Sequence, residues 1–237
     1  MSLPSQARVM AALDATWPAA EQVSRAGWDL RRGAGGGQRV SAARGMGDLA
    51  VAEAAMAAWG QAPVFCVAGD DALDAMLEAA GYLRHDPVVL YAAPIAALDD
   101  GRDETARVIR CQTPVARGAE IWQAGGIGPA RLAVMERVRG PKSVLMGRDG
   151  DRPAGMAFVA CDGEGAMVHA IEVLPGHRRS GVGERLLRGA ASFAREAGAA
   201  WLSLAVTEAN GPANALYGKL GMRPVGHYHY RVREGAP

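Results

Sequence analysis

The residues best suited to chemistry lie together in one stretch. It reads His169-Ala-Ile-Glu172-Val173-Leu174-Pro175-Gly176-His177-Arg178-Arg179-Ser180-Gly181-Val182-Gly183. Two arginines and a Gly-x-Gly stand between an apolar run, residues 167–174, and an amphipathic run that begins at Val182. A strand that runs into a glycine-rich turn at a helix N-terminus aims unpaired backbone N–H groups at one point. The helix dipole adds partial positive charge there and the arginines add full charge. Glycine tolerates φ > 0 and has no Cβ to hold an anion away from the backbone. The pattern predicts a diphosphate cradle. It is not a Walker loop, because no Gly-Lys-Ser/Thr follows, and it is not Gly-x-Gly-x-x-Gly.

The elements around it must hold this cradle in place. After Val182, the residues Leu186, Leu187, Ala190, Phe193, Ala194 and Ala197 fall on one face at helical spacing. Glu184, Arg185, Arg188, Arg195 and Glu196 fall on the other. A short apolar strand follows at 201–206, and then a turn in which Pro212 is placed to open a helix. Gly221-Met222 closes that helix before a last strand at 225–232. Arg178-x-x-Gly181-x-Gly183 after a strand ending Val-x-Pro resembles the acyl-CoA loop of the GNAT superfamily of N-acyltransferases. Asn210-x-x-Ala213-x-x-Leu216-Tyr217-x-x-x-Gly221-Met222 resembles that family's second signature, whose usual end is Gly-Phe. The resemblance covers residues 106–233 firmly and 1–100 loosely.

The resemblance implies an α/β (α+β) fold, a mixed central sheet flanked by helices. It also implies an acetyl-CoA-dependent N-acetyltransferase in which a primary amine attacks the thioester directly. Acetyl-CoA would be a co-substrate held by Arg178, Arg179, Ser180, Gly181, Val182 and Gly183. The backbone of Val173 would pair with the pantetheine arm, and Asn210 would steady it. Tyr217 matches the family's acid position. A phenol of pKa ≈ 10 is protonated at pH 7, and a thiolate of pKa about 8.5 is its recipient. Some relatives carry a glutamate twelve residues before that tyrosine, where this chain has Ala205, so the general base stays open between His169 and Glu172. On a regular strand these two have opposite parity, and both face one cleft only if a bulge intervenes. The base matters because a lysine-like amine costs about 4.6 kcal/mol to deprotonate at pH 7, whereas an α-amine costs about 1. A second reading is a non-catalytic acyl-CoA-binding or regulatory module, which the alanine at 205 favours.

Composition narrows the partners. Of 237 residues, 49% are hydrophobic and 22% charged, the balance of a chain that buries a real core. A net charge of +1 with acids and bases well mixed argues against nucleic acid or an anionic membrane. Cys66, Cys111 and Cys161 are scattered and odd in number, which fits buried thiols in a reducing cytoplasm rather than a disulfide framework. The sequence predicts no signal peptide, no membrane span and no metal. His227 and His229, on one face of the last strand, could line an acceptor pocket but lack a third ligand. The partner expected is a small-molecule or peptide amine, taken by a monomer or homodimer of bacterial type.

The first hundred residues echo the rest. Residues 3–24 read as helix, a run that Pro18 limits, and 28–31 and 38–41 as strands around a hairpin turn of glycines at 33–37. A helix capped by Asp48, a strand at 63–68, a helix at 71–80 and a strand at 86–93 follow. Setting Gly81 on Gly221 places Leu77 on Tyr217. Setting Arg44 on Arg178 places Asp48 where the pyrophosphate would sit and Leu49 on the second glycine. Two tandem halves are expected, a degenerate one at 1–98 and a catalytic one at 106–237. The linker is expected at 94–104, around Asp99, Asp100, Asp103 and Glu104.

Overall fold

The computed structural model describes residues 2–99 and 107–233. The first segment forms helix α1 (Gln6–Thr16), strands β1 (Glu21–Arg25) and β2 (Trp28–Arg32), and the helical turn α2 (Gln38–Ser41). It continues with β3 (Arg44–Gly45), α3 (Leu49–Ala58), β4 (Val64–Val67), α4 (Asp71–Ala79), β5 (Leu83–Pro94) and the helical turn α5 (Ile95–Leu98). The second forms β6 (Val108–Cys111), α6 (Ala116–Ala124), α7 (Pro129–Arg137), β7 (Lys142–Asp149), β8 (Arg152–Asp162) and β9 (Gly165–Val173). A 3₁₀ turn (Pro175–His177), α8 (Val182–Glu196), β10 (Trp201–Thr207), α9 (Gly211–Lys219) and β11 (Arg223–Val232) complete it.

Eight strands form one mixed sheet in the order β4-β11-β5-β10-β9-β8-β7-β6, and β1-β2-β3 form a small second sheet. Only β9 and β10 run parallel; the other neighbours are antiparallel. Helices α1, α6 and α7 cover one face through Val9, Leu13, Ile121, Trp122 and Val134, while α8 and α9 cover the other through Leu186, Leu187, Ala190 and Tyr217. A third cluster holds α3 and α4 through Met56, Leu73 and Leu77 against Trp28, Phe65 and Tyr82. Strands from both expected halves therefore share one sheet: β5 lies between β10 and β11, and β11 lies between β4 and β5.

The helix–strand units α4–β5 and α9–β11 are built alike. Asp70 and Asn210 each cap the helix N-terminus through a side-chain oxygen. Gly81 (φ 81°) and Gly221 (φ 78°) end the helices in the left-handed region, and the N–H groups of Tyr82 and Met222 donate back to Leu77 and Tyr217.

Two local expectations are corrected. The first helix stops at Thr16, and residues 21–25 are strand β1, because Pro18 cannot continue the helix. Residues 38–41 form a helical turn, not a strand, closed by Ala42 N–H on the Gln38 carbonyl, so the glycine run is no hairpin. Four residues with one apolar position carry too little periodicity to decide between the two. Of the expected linker, 94–99 continues from β5 into α5, and 100–104 lies outside the described residues.

Candidate active site

The sheet opens where its only parallel pair meets. Pairing of β10 with β9 runs from Trp201↔Gly165 to Leu204↔Val168 and then stops, although β9 continues to Val173 along β8 and β10 to Thr207 along β5. The strands part beside Val168, His169, Ala170 and Ile171 on one side and Leu204, Ala205, Val206 and Thr207 on the other. These residues line a cleft of about 700 Å³, a size that suits a small ligand.

A bulge in β9 shapes this opening. Phe158 pairs with His169 and Met156 with Glu172, so three steps on β9 match two on β8. Ala170 takes φ 51°, unusual for a residue with a Cβ, and its carbonyl accepts a hydrogen bond from Trp122 Nε1 at 2.8 Å. The extra residue brings His169 and Glu172 onto one face of the sheet.

The two base candidates fare differently. His169 lines the cleft, buried against Trp17 at a ring separation of 4.8 Å. Its Nε2 lies 2.8 Å from Thr16 Oγ1. That hydroxyl already donates to the Ala12 carbonyl, so it accepts from Nε2–H, leaving Nδ1 as an unpartnered acceptor. Burial, with the Arg39 charge nearby, holds the imidazole pKa well below its usual range. Glu172 is not among the cleft-lining residues. Its carboxylate sits over Gly125 at the end of α6, 3.5 Å from Arg178 Nη2.

The predicted cradle lies at the turn between β9 and α8. Gly181 (φ 82°) precedes α8 in the left-handed conformation, and no side chain caps the helix N-terminus, so its first N–H groups are open to a ligand. An added Cβ on Gly183 would stand 3.2 Å from Leu216 Cδ2, a tight contact that keeps α8 close to α9. Val182 is buried beneath, while Arg178, Arg179 and Ser180 are exposed. Ser180 Oγ donates to the His177 carbonyl, and His177 Nδ1 lies 2.8 Å from Asp149, which ties the turn to the β7–β8 hairpin. Arg178 Nε donates to the Val173 carbonyl at 3.1 Å, so an arm pairing with that carbonyl would have to displace it.

Tyr217 and Asn210 both line the cleft. The Tyr217 ring packs 5.7 Å from Tyr91. Burial, with Tyr91 adding and Arg39 opposing, pushes its phenol up to about 12. Asn210 caps α9, its Oδ1 accepting from Ala213 N–H at 3.2 Å, which leaves its NH₂ for a ligand.

Sequence reasoning missed part of the lining. Trp17, Gly36, Gly37, Arg39 and Val88 come from the first hundred residues, and Arg131 comes from α7. His227 and His229 do not line the cleft. His229 Nε2 lies 2.7 Å from Asp74 and His227 lies 3.5 Å from Glu208. Among the described residues, no group of three His, Cys, Asp or Glu side chains could hold a metal, and no helix is long and apolar enough to cross a membrane.

The chain is similar to known proteins in sequence and in fold. Residues 117–222 match the acetyltransferase (GNAT) family model. The chain is 46% identical over 80 residues to streptothricin acetyltransferase of Streptomyces lavendulae, covering 33% of this chain and 42% of that one. It is 29% identical over 119 residues to the uncharacterized N-acetyltransferase YobR of Bacillus subtilis strain 168, covering 48% of each. The chain thus spans about half the length of these curated relatives. A GCN5-related N-acetyltransferase from Kribbella flavida has a similar fold, with a TM-score of 0.74 at 20% identity over 97% of this chain and 95% of that one.

Proposed function

We propose that the chain, whose residues 117–222 match the acetyltransferase (GNAT) family model, transfers an acetyl group from acetyl-CoA to a primary amine by direct attack. This reading is carried by an uncapped, glycine-led α8 N-terminus, whose Gly183 lies beside Leu216, together with the opening between β9 and β10 lined by the next residue, Tyr217. The first N–H groups of α8, with Arg178 and Arg179, would take the pyrophosphate. The opened edge of β9 and the Asn210 NH₂ would take the arm.

The protein's part in the chemistry is orientation and proton control. The amine nitrogen bonds to the thioester carbon, the C–S bond breaks, and the thiolate leaves needing a proton. A phenol near 12 would give its proton to a thiolate of about 8.5 only at a cost of roughly 5 kcal/mol. Tyr217 therefore holds the sulfur by a hydrogen bond, and the proton lost by the amine in forming the amide ends on the thiol. His169 stays neutral, and a base so weakened by burial cannot draw a proton from a lysine-like ammonium. The acceptor enters as the neutral amine.

Calorimetry with acetyl-CoA tests the cradle. Gly181→Asp places a carboxylate and a strained φ at the pyrophosphate position, and binding should vanish in a folded variant. Binding within a few-fold of wild type would refute the placement. The second reading, a non-catalytic acyl-CoA sensor, draws support from Ala205 and from the sequestered His169. It predicts tight binding with no turnover on any amine.

A further inference from the structure

Three arginines of the first segment point toward the middle of the molecule, and two of them are neutralised there. Asp14 lies 2.7 Å from Arg31 and 2.7 Å from Arg44. Arg39, on the turn α2 and lining the cleft, has no such partner. Its Nη2 reaches the Ala205 carbonyl at 3.4 Å, the neutral Tyr228 and Tyr230 hydroxyls lie against it as acceptors, its Nε is sheltered with no partner, and His169 and Tyr217 stand nearby. No carboxylate among the described residues lies within ion-pair distance of it. A guanidinium has five donors and cannot shed its charge, and one left unpaired in a protein recess is costly.

The rest of the cleft repeats the same sign. Arg131 stands exposed at the mouth, where an added Cβ on Gly37 would lie 3.5 Å from its Nη2. It too has no carboxylate partner among the described residues. The single acid in the lining, Asp86, lies 3.5 Å from His85 Nδ1. Two arginines against one carboxylate leave the lining net positive, which repels a polycation and attracts an anion.

We propose that Arg39, assisted by Arg131, binds a carboxylate carried by the amine acceptor, so that this chain's acceptors are amino acids or other amines bearing a carboxylate. The inference rests on the acyl-transfer reading of the same cleft and adds the substrate's second group. The carboxylate supplies the counter-charge that the guanidinium lacks. The same positive field lowers the pKa of a nearby ammonium, which favours the neutral amine in a site without a strong base.

Binding can be read without turnover. L-amino acids and their carboxamides are titrated in pairs into the full-length chain, with and without CoA, alongside spermidine. At least one carboxylate should bind ten-fold or more tightly than its amide. Arg39→Gln should weaken that member about 10- to 100-fold, the range for a charge-assisted pair, and leave its amide unchanged. Arg39→Lys should recover part of the loss, and Arg131→Gln should cost less than Arg39→Gln. Unchanged melting temperature and unchanged CoA affinity separate this from misfolding. Amides binding as well as carboxylates, or spermidine binding more tightly than any of them, would overturn the proposal. So would discrimination that survives Arg39→Gln, or a loss of CoA affinity in that variant, which would assign the arginine to the co-substrate. A wild type that discriminates carboxylates yet fails to bind acetyl-CoA would uphold the anion site and refute the transferase reading.

Discussion

Tyr217 tests the chemistry through a single oxygen atom. Its ring packs on Tyr91 and in the core beside α8, so Tyr217→Phe keeps the packing and removes only the hydroxyl. Folding and acetyl-CoA affinity should hardly change, while kcat should fall by roughly 10²- to 10⁴-fold, the scale of a positioned proton or hydrogen-bond donor. The pH profile of the wild type carries a second sign. The phenol is pushed up to about 12, and burial keeps His169 neutral, so neither group changes charge between pH 7 and 10. Activity should rise with pH as the acceptor amine deprotonates, with no falling limb from Tyr217 in that range. A limb near pH 10 that vanishes in Tyr217→Phe would show an ordinary, solvated phenol. Near-full kcat in the variant would remove the hydroxyl from the mechanism. His169 is itself held in place, its Nε2–H by Thr16 and its ring by Trp17.

At the level of elements, two helix N-termini invite comparison. Gly181 leads α8 with no side-chain cap, whereas Asp48 leads α3 and its Oδ1 accepts from Ala50 N–H at 3.0 Å. The carboxylate in α3 occupies the place that an anion would need, so a titration should give one acetyl-CoA per chain. Two sites would contradict this. What the sequence revealed follows the same division. Long amphipathic runs such as α8, and signatures such as Asn210 to Tyr217 that bind local geometry to local spacing, were legible. The bulge in β9 was legible only as a condition on His169 and Glu172, since register depends on the partner strand β8. The turn α2 was not, because four residues do not set a period. Nor was the role of Arg39, whose contact with Ala205 spans 166 residues of chain and arises from packing alone.

At the scale of the whole molecule, the strand order decides how the protein unfolds. A tandem pair of independent halves would break at 98–106 and could melt in two steps. Here β5 pairs with β10 from Trp201↔Pro94 to Thr207↔Val88 and with β11 on its other edge, so it is an interior strand of a sheet whose neighbours come from the other segment. Strand β11 in turn closes on β4. Helix α1 packs Val9 and Leu13 into the core that also holds Phe158 and Met167, and Arg8 ion-pairs with Asp162 at 2.8 Å. Removing either segment would strip β5 or β11 of backbone hydrogen bonds and expose one face of the sheet, each unpaired buried polar group costing about 1–3 kcal/mol. The cleft shares this dependence, since Trp17 and Arg39 come from one segment and Tyr217 and His169 from the other. Thermal unfolding should therefore be one cooperative transition, with calorimetric and van't Hoff enthalpies equal. Tryptophan signals from Trp28, in the first segment's own cluster, and from Trp122, beside β9, should be lost together. Each can be followed alone in variants that keep it as the one tryptophan of the chain's five. Two resolved transitions, with Trp28 reporting one and Trp122 the other, would show that the shared sheet does not couple the segments and that the cleft can open along the line between them.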